Sequence, residues 1–455
     1  MRSAILNILY LHTHDTGRFI QPYGHAIPTP NLMGLAQEGV LFRNCYSAAP
    51  TCSPSRSAML TGMNPHAAGM VGLAHRGFSL KDPHQHLAHF LAENGYETVL
   101  CGEQHEIASG REKELGYSQV LRADVPRLGN ATITPQQEYE RRETRDYANV
   151  GLAAGYLRQP KTRSFFLSVG LNATHFDLPE PASDINPNYI QPPPTLPDIA
   201  ITRRDMAGFH TLARQADRCF GLVLEALQQS PYVDDTLVLY TTDHGIAFPW
   251  MKCTLYDTGI GVALILRFPS RKYAGRVQDA LVSHLDVFPT LCDIAGLPAP
   301  DRLEGHSLLP LINGQVDRVR EEIFAEVTYH AAYEPMRCIR TERYKYIRYF
   351  DDFAGTVKPN IDWSPSKDFL LENGLMERPR DPAEMLFDLY FDPAERNNLA
   401  GDPRCAGVRH DLVNRLQRWM EATDDPLMQG YVPKPAGAIA NRKDGLHPFE
   451  TDWEA

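Results

Sequence analysis

Through the first two-thirds of the chain, short apolar runs alternate with stretches whose apolar residues recur every three or four positions. The runs at 7–11, 41–45, 98–100, 165–171, 236–240 and 262–267 have the length and composition of strands. Between them, 31–38, 55–61, 86–94, 204–229 and 286–295 carry helical spacing. In the longest of these, Phe209, Leu212, Ala216, Phe220, Val223 and Leu227 form one apolar stripe. Strands alternating with helices predict an α/β fold, a large mostly parallel sheet sandwiched by helices. Such sheets bind ligands beyond the carboxyl ends of their strands.

After residue 325 the pattern changes. Residues 337–350 alternate apolar and polar around Thr341-Glu342-Arg343, which predicts a hairpin with one wet face. A strand at 385–390, the turn Asp392-Pro393-Ala394-Glu395 and a helix at 407–422 follow. The chain therefore divides into an α/β domain at 1–325 and a smaller C-terminal α+β domain at 326–455 carrying an antiparallel sheet. The proline-rich stretch 191–197 is a stiff surface loop, and no internal repeat is present.

Composition narrows the function. Of 455 residues, 43% are hydrophobic and 22% charged, which excludes collagen, coiled coil and wholesale disorder. A net charge of −11 argues against a nucleic-acid partner. It leaves room for a small anion in a locally positive pocket. Cys45, Cys52, Cys101, Cys219, Cys253, Cys292, Cys338 and Cys405 are scattered, without metal-ribbon spacing. No apolar run exceeds about eight residues, whereas a membrane span needs roughly 18–20. The N-terminus reads as a first buried strand rather than a leader, since no small-residue cleavage site follows. The expectation is a soluble cytoplasmic protein with reduced thiols.

The sharpest local feature is Cys52-Ser53-Pro54-Ser55-Arg56, continued to Gly62. It arises by chance in on the order of one chain in a thousand at average composition. Pro54 marks a helix N-terminus, whose free N–H groups attract negative charge toward Cys52. Arg56 lies one turn on. The plainer reading is a small buried cysteine before a helix. Elsewhere, His14-Asp15 follows the first strand and Asp243-His244 the strand at 236–240. On neighbouring parallel strands these two clusters would face one crevice, and carboxylates and imidazoles are residue types that can hold a divalent cation.

These residues resemble the sulfatases, alkaline-phosphatase-like hydrolases whose active-site cysteine is oxidised to formylglycine. Cys52–Gly62 matches their modification motif at every defining position. Nearly the whole chain shares in the likeness. It includes Pro30-Asn31-Leu32, Gly39 to Asn44, Thr241-Thr242-Asp243-His244-Gly245, Lys252 with Leu255-Tyr256-Asp257, and Leu389 to Pro393 with Glu395 and Asn398-Leu399. Phe42-Arg43-Asn44, Gly69-Met70, Gly72-Leu73, Phe248-Pro249 and Pro335-Met336-Arg337 are similar to the heparan N-sulfatase (sulfamidase) branch.

The resemblance implies one divalent metal ion held by Asp15, Asp243, His244 and an oxygen of modified Cys52. His14 stands where the family has an Asp, as a fourth ligand or as a hydrogen-bonding neighbour of the ligands. Calcium is the family's usual ion, but imidazoles favour manganese or zinc. Lys252 and Arg56 are implied to hold sulfate oxygens, His175 to protonate the leaving atom and His105 to act as base. His75, Arg76, His330 and Arg337, with His66, are candidates for the substrate rim or solvated loop residues. Glu103 replaces a lysine usual in the family and exchanges a cation for an anion. The implied reaction is attack by one hydroxyl of a hydrated aldehyde on sulfur, then release of sulfate as the second hydroxyl is deprotonated. The implied partners are a small sulfated substrate and a formylglycine-generating enzyme. Two rivals stand beside this reading: a phosphonate monoester hydrolase or phosphodiesterase on the same fold, favoured by Asp243-His244 and Glu103, and a non-catalytic binding protein on a degenerate scaffold.

Overall fold

A computed structural model describes residues 6–125, 134–377, 383–450 and 453. In chain order its strands are β1 (Asn7–Thr13), β2 (Val40–Phe42), β3 (Cys45–Tyr46), β4 (Glu97–Gly102), β5 (Gln119–Leu121), β6 (Phe165–Gly170) and β7 (Thr236–Thr242). They continue with β8 (Gly261–Val262), β9 (Leu264–Arg267), β10 (Arg276–Gln278) and β11 (Val282–Ser283). Last come β12 (Glu322–Tyr329), β13 (Tyr333–Thr341), β14 (Tyr344–Tyr349) and β15 (Glu384–Asp388).

Eight strands make the main sheet in the order β10-β2-β9-β7-β1-β6-β4-β5. Within it β9 alone runs against the rest. All seven residues of β1 are buried, because helices cover both faces of the sheet. Ile8 and Tyr10 pack on one side with Leu60, Leu87 and Leu91. Leu9 and Leu11 pack on the other with Leu35, Leu157, Phe220 and Val223. Each such side chain contributes roughly 1.5–3 kcal/mol when fully buried, and the alternation explains why the run is apolar without a break.

Two expected strands are each divided. The run at 41–45 splits into β2 and β3, and that at 262–267 into β8 and β9. The breaks are a single event: β2 pairs with β9 in the main sheet while β3 pairs with β8 in a separate sheet, β11-β3-β8. A two-stranded ribbon thus leaves one sheet and enters another. The helix expected at 55–61 starts earlier and spans Cys52–Thr61, so Cys52 opens the helix instead of preceding it. A 24-residue helix, Pro135–Arg158, was not expected from the pattern. Its first half is almost wholly polar, and only Val150, Ala153, Ala154 and Leu157 give helical apolar spacing. Its signal is at the start, where Thr134 and Gln137 form a reciprocal capping box ahead of Pro135.

The C-terminal sheet is an antiparallel meander, β12-β13-β14-β15. The expected hairpin is β13–β14, with Met336 opposite Tyr349. Its wet face is absent: β13 is buried at every position but its last. Ile339 and Tyr346 pack with Leu412 and Leu416 of the helix Ala406–Ala422, while Met336, Cys338 and Ile347 join Ile246, Met251 and Tyr256 of the α/β part. The polar residues of the alternation are buried as ion pairs, Arg340 with Asp257 at 3.2 Å and Lys345 with Asp257 at 2.6 Å and Glu395 at 2.8 Å. Among the described residues no helix is long and apolar enough to cross a membrane.

Candidate active site

Parallel pairing of β1 and β7 sets His12 beside Thr241 and Thr13 beside Thr242, so the two chains leave the sheet at one level. Beyond that edge, the backbone N–H of Asp15 donates to Asp243 Oδ1 at 2.8 Å. Asp15 has a φ of +48°, a left-handed conformation that Asp tolerates better than most residues and that here turns its carboxylate into the crevice. Gly245 has no freedom to be anything else, since a Cβ there would lie 1.8 Å from the Thr258 carbonyl oxygen.

The helix Cys52–Thr61 is pinned onto these strand ends by its own residues. Ser55 Oγ donates to the Asp243 carbonyl at 2.6 Å. Arg56 Nη2 donates to Asp243 Oδ2 and to the Thr13 carbonyl, each at 2.9 Å. Cys52, one turn earlier, is thereby set over the crevice with Sγ 3.4 Å from His244 Nε2. The spacing from Cys to Arg in the motif is thus the one turn needed to seat the thiol.

Ligand atoms of His14, Asp15, Cys52 and Asp243 all lie within 4.8 Å of one another. His244 Nε2 joins them, 3.3 Å from Asp15 Oδ1 and 3.7 Å from Asp243 Oδ2. Asp15 Oδ1 and His14 Nε2 are buried without a hydrogen-bond partner, and His14 Nδ1 has only Asp243 Oδ2, at 3.4 Å. Buried acceptors left unmade in this way are costly, and a set of two carboxylates and two imidazoles fits a divalent cation. Burial pushes the His14 imidazole well below its ordinary pKa, and the Arg56 charge adds to this, which leaves a neutral ring of the kind that ligates metals. Burial alone would raise the Asp243 carboxyl, but His244 and Arg56 hold it well below the usual range.

One wall of the crevice is imidazole. The His14 ring lies 4.5 Å from that of His105 and 5.6 Å from that of His175, centroid to centroid. Both line a cavity of about 600 Å³ with Ser53, His75, Glu103 and Arg145. Glu103 is not a bare anion, because Arg145 meets it at 2.9 Å. Lys252 Nζ contacts Asp15 Oδ2 at 3.1 Å and Asp362 Oδ2 at 2.8 Å. Burial would lower its pKa, yet these two carboxylates hold it well above the ordinary value.

Two residues here went unread in the sequence. Asp362 is a lone acid in Asn360-Ile-Asp-Trp363 with no pattern to mark it. Asp146 lies on the unexpected helix and accepts the backbone N–H groups of Asn172 and Ala173 at 2.9 and 3.1 Å, which fixes the turn leading to His175.

The rim candidates separate. His75 lines the cavity and is exposed. His330 is buried, its pKa depressed by burial and by the Lys252 charge. Arg337 is not at the rim: it is fully buried, its Nε 2.5 Å from Asp425. His66 is likewise internal, with Nδ1 2.5 Å from Glu326. Arg76 ties down the C-terminal segment through Asn441 Oδ1 and the Pro448 carbonyl, both at 2.8 Å. These three guanidinium and imidazole groups looked like surface cations in sequence because their partners are far along the chain.

Residues 7–297 match the family described as Sulfatase, and residues 244–357 match the N-sulphoglucosamine sulphohydrolase C-terminal region. An ulvan-active sulfatase of Formosa agariphila is 29% identical over 91% of this chain and 79% of its own. The N-sulphoglucosamine sulphohydrolase of Homo sapiens is 27% identical over 97% of this chain and 94% of its own. The phosphonate monoester hydrolase of Agrobacterium radiobacter shares the fold, with a TM-score of 0.70 at 21% identity, covering 96% of this chain and 100% of that one. Since the first match spans well over half of the 455 residues and contains the whole Cys52–Asp15–Asp243 cluster, the chain belongs to the sulfatase family.

Proposed function

We propose that this protein hydrolyses a sulfate ester or N-sulfamate of a small sulfated sugar, using formylglycine made from Cys52 and one divalent ion. The single observation that carries the reading is the seating of Cys52 Sγ among the ligand atoms of His14, Asp15 and Asp243. Formylglycine at this position would supply two hydroxyls on one carbon when hydrated, and Asp15, Asp243, His244 and His14 would hold the ion whose positive charge would make a hydroxyl more acidic. Calcium is the first candidate, with manganese or zinc favoured by the imidazoles.

The remaining work belongs to the chain itself. Arg56 fixes the Asp243 carboxylate and, with Lys252, sets positive charge where the sulfuryl oxygens develop negative charge. His175, held by the turn that Asp146 clamps, gives a proton to the departing oxygen or nitrogen. His105, against the His14 ring, takes the proton whose loss releases sulfate. The cavity of about 600 Å³ has room for a sugar unit, and the exposed His75 is among its lining residues. We place the reaction in the cytoplasm, with Cys52 matured by a formylglycine-generating enzyme.

Co-expression with such an enzyme, then assay on 4-nitrophenyl sulfate, N-sulfoglucosamine and an aryl phosphonate monoester, tests the proposal. Sulfate release that disappears in Cys52→Ala and Asp15→Asn is the expected result. Complete oxidation of Cys52 without sulfate release from any substrate would rule it out, and preferential phosphonate cleavage would move the chain to the rival chemistry.

A further inference from the structure

We infer that Asp362 is a specificity-determining residue that makes the site select a singly charged sulfuryl ester over a doubly charged phosphoryl ester. The inference rests on the sulfatase reading above and deepens it.

Asp362 belongs to the C-terminal part of the chain, between the turn Lys358–Asn360 and the helix Pro365–Glu372. The residues on either side are fixed. Lys367 Nζ donates to the carbonyls of Ile361 and Leu446, each at 2.7 Å. Asn360 Nδ2 donates to Glu334 at 2.7 Å, and Asn360 Oδ1 accepts the Ala332 N–H at 2.8 Å. A carboxylate on such an anchored segment is placed, not wandering. It lands 2.8 Å from Lys252 Nζ, the ammonium that also meets Asp15, and keeps 17% of its side chain exposed. Lys252 itself is only 3% exposed, so the carboxylate is the more open member of the pair. Burial would raise the Asp362 carboxyl, but Lys252, His175 and His330 outweigh it and keep the group ionised.

The charged side chains that touch one another here form one linked set: Arg56 on Asp243, and Lys252 on both Asp15 and Asp362. Three carboxylates against two cations leave one negative charge. A divalent ion on Asp15 and Asp243 converts this to one positive charge, which a sulfate monoester, a monoanion, neutralises. With Asp362 neutral, the set would carry two positive charges and match a phosphate monoester dianion. Glu103 and Arg145 cancel each other at 2.9 Å and do not change the balance. In a buried site a surplus charge is poorly screened, so a mismatch of one is felt strongly.

Protein retaining unmodified Cys52 and supplied with Ca²⁺ turns over neither ligand and allows binding to be measured directly. Phenyl sulfate and phenyl phosphate are titrated by calorimetry at about pH 8, above the second phosphoryl pKa of about 6. Wild type is expected to prefer phenyl sulfate. Asp362→Asn is expected to raise the phosphate-to-sulfate affinity ratio at least tenfold, and Asp362→Glu to return it toward wild type. Asp362→Ser gives a second neutral variant should the amide fail to fold, which melting midpoints report. An unchanged ratio with both ligands weakened alike would make Asp362 only an anchor for Lys252 and overturn the inference. So would a wild type that prefers phenyl phosphate or binds no phenyl sulfate. Absence of aryl sulfate turnover by oxidised protein defeats the sulfatase proposal separately and leaves the affinity ratio readable.

Discussion

Cys52 Sγ stands 3.4 Å from Nε2 of His244, a residue 192 positions further along the chain. The thiol is buried, and burial pushes its pKa far above that of a free cysteine, with nearby Lys252 opposing the shift. Unoxidised Cys52 is therefore a protonated, shielded thiol at neutral pH and a poor nucleophile. It should resist iodoacetamide in the folded protein and react only after unfolding. Peptide mass spectrometry of oxidised protein should show a loss of about 18 Da at this residue. Rapid alkylation of native Cys52 would show an activated thiol and a different chemistry.

In the proposed function His175, which lines the cavity, is the proton donor to the leaving atom. Its importance should grow as the leaving group becomes more basic. His175→Ala is expected to slow release from a sugar sulfate by about 10²–10⁴-fold and to affect 4-nitrophenyl sulfate far less, because nitrophenolate leaves without protonation. Equal losses on both substrates in steady-state kinetics would assign His175 to binding instead.

Asp146 links pH to the placement of that histidine. Burial pushes its carboxyl up to about 7, although two backbone N–H groups oppose the shift. The unfolded value is about 3.9, so the folded state holds an extra proton between roughly pH 4 and 7. Stability from this group is full below about pH 4 and is lost as pH rises through 7. Wild type should therefore lose roughly 2–4 kcal/mol relative to Asp146→Asn between about pH 4 and 8. Denaturant titrations of both proteins across that range measure the difference, and a constant difference would contradict the assignment.

Arg337 offers a test of a different kind, since its guanidinium is buried against Asp425 and Glu326. Arg337→Ala leaves Asp425 without its cation and Glu326 with His66 alone, and should cost about 3–5 kcal/mol of stability. Activity per folded molecule should survive, because the residue lies in the packed C-terminal sheet and not at the cavity. A raised KM without loss of stability would return Arg337 to the substrate rim.

Six of the eight strands of the main sheet and most of its helices were legible because local patterns carry them, whereas its two short edge strands, β5 and β10, were not. The residues of β1 alternate between two apolar layers, and the helix Ala200–Gln228 keeps one stripe over its length. The site was legible where its residues sit in dense local motifs, at Cys52–Arg56, His14-Asp15 and Asp243-His244. These are short because a helix turn and two strand ends impose the spacing.

Other features depend on partners far away in sequence, and no local window contains them. A wet face was expected for β13, but Arg340 and Lys345 are buried against Asp257 and Glu395, partners at least 50 residues distant. Asp362 and Lys252 are 110 positions apart and meet only through tertiary packing. Glu103 looked like an added negative charge until the unexpected helix brought Arg145 to it. Sequence alone determined which groups are chemically able to act and the layers that carry them, since periodicity and motif spacing are properties of a few consecutive residues. Tertiary structure decided which charges remain unpaired, because electrostatic compensation depends on distance in space.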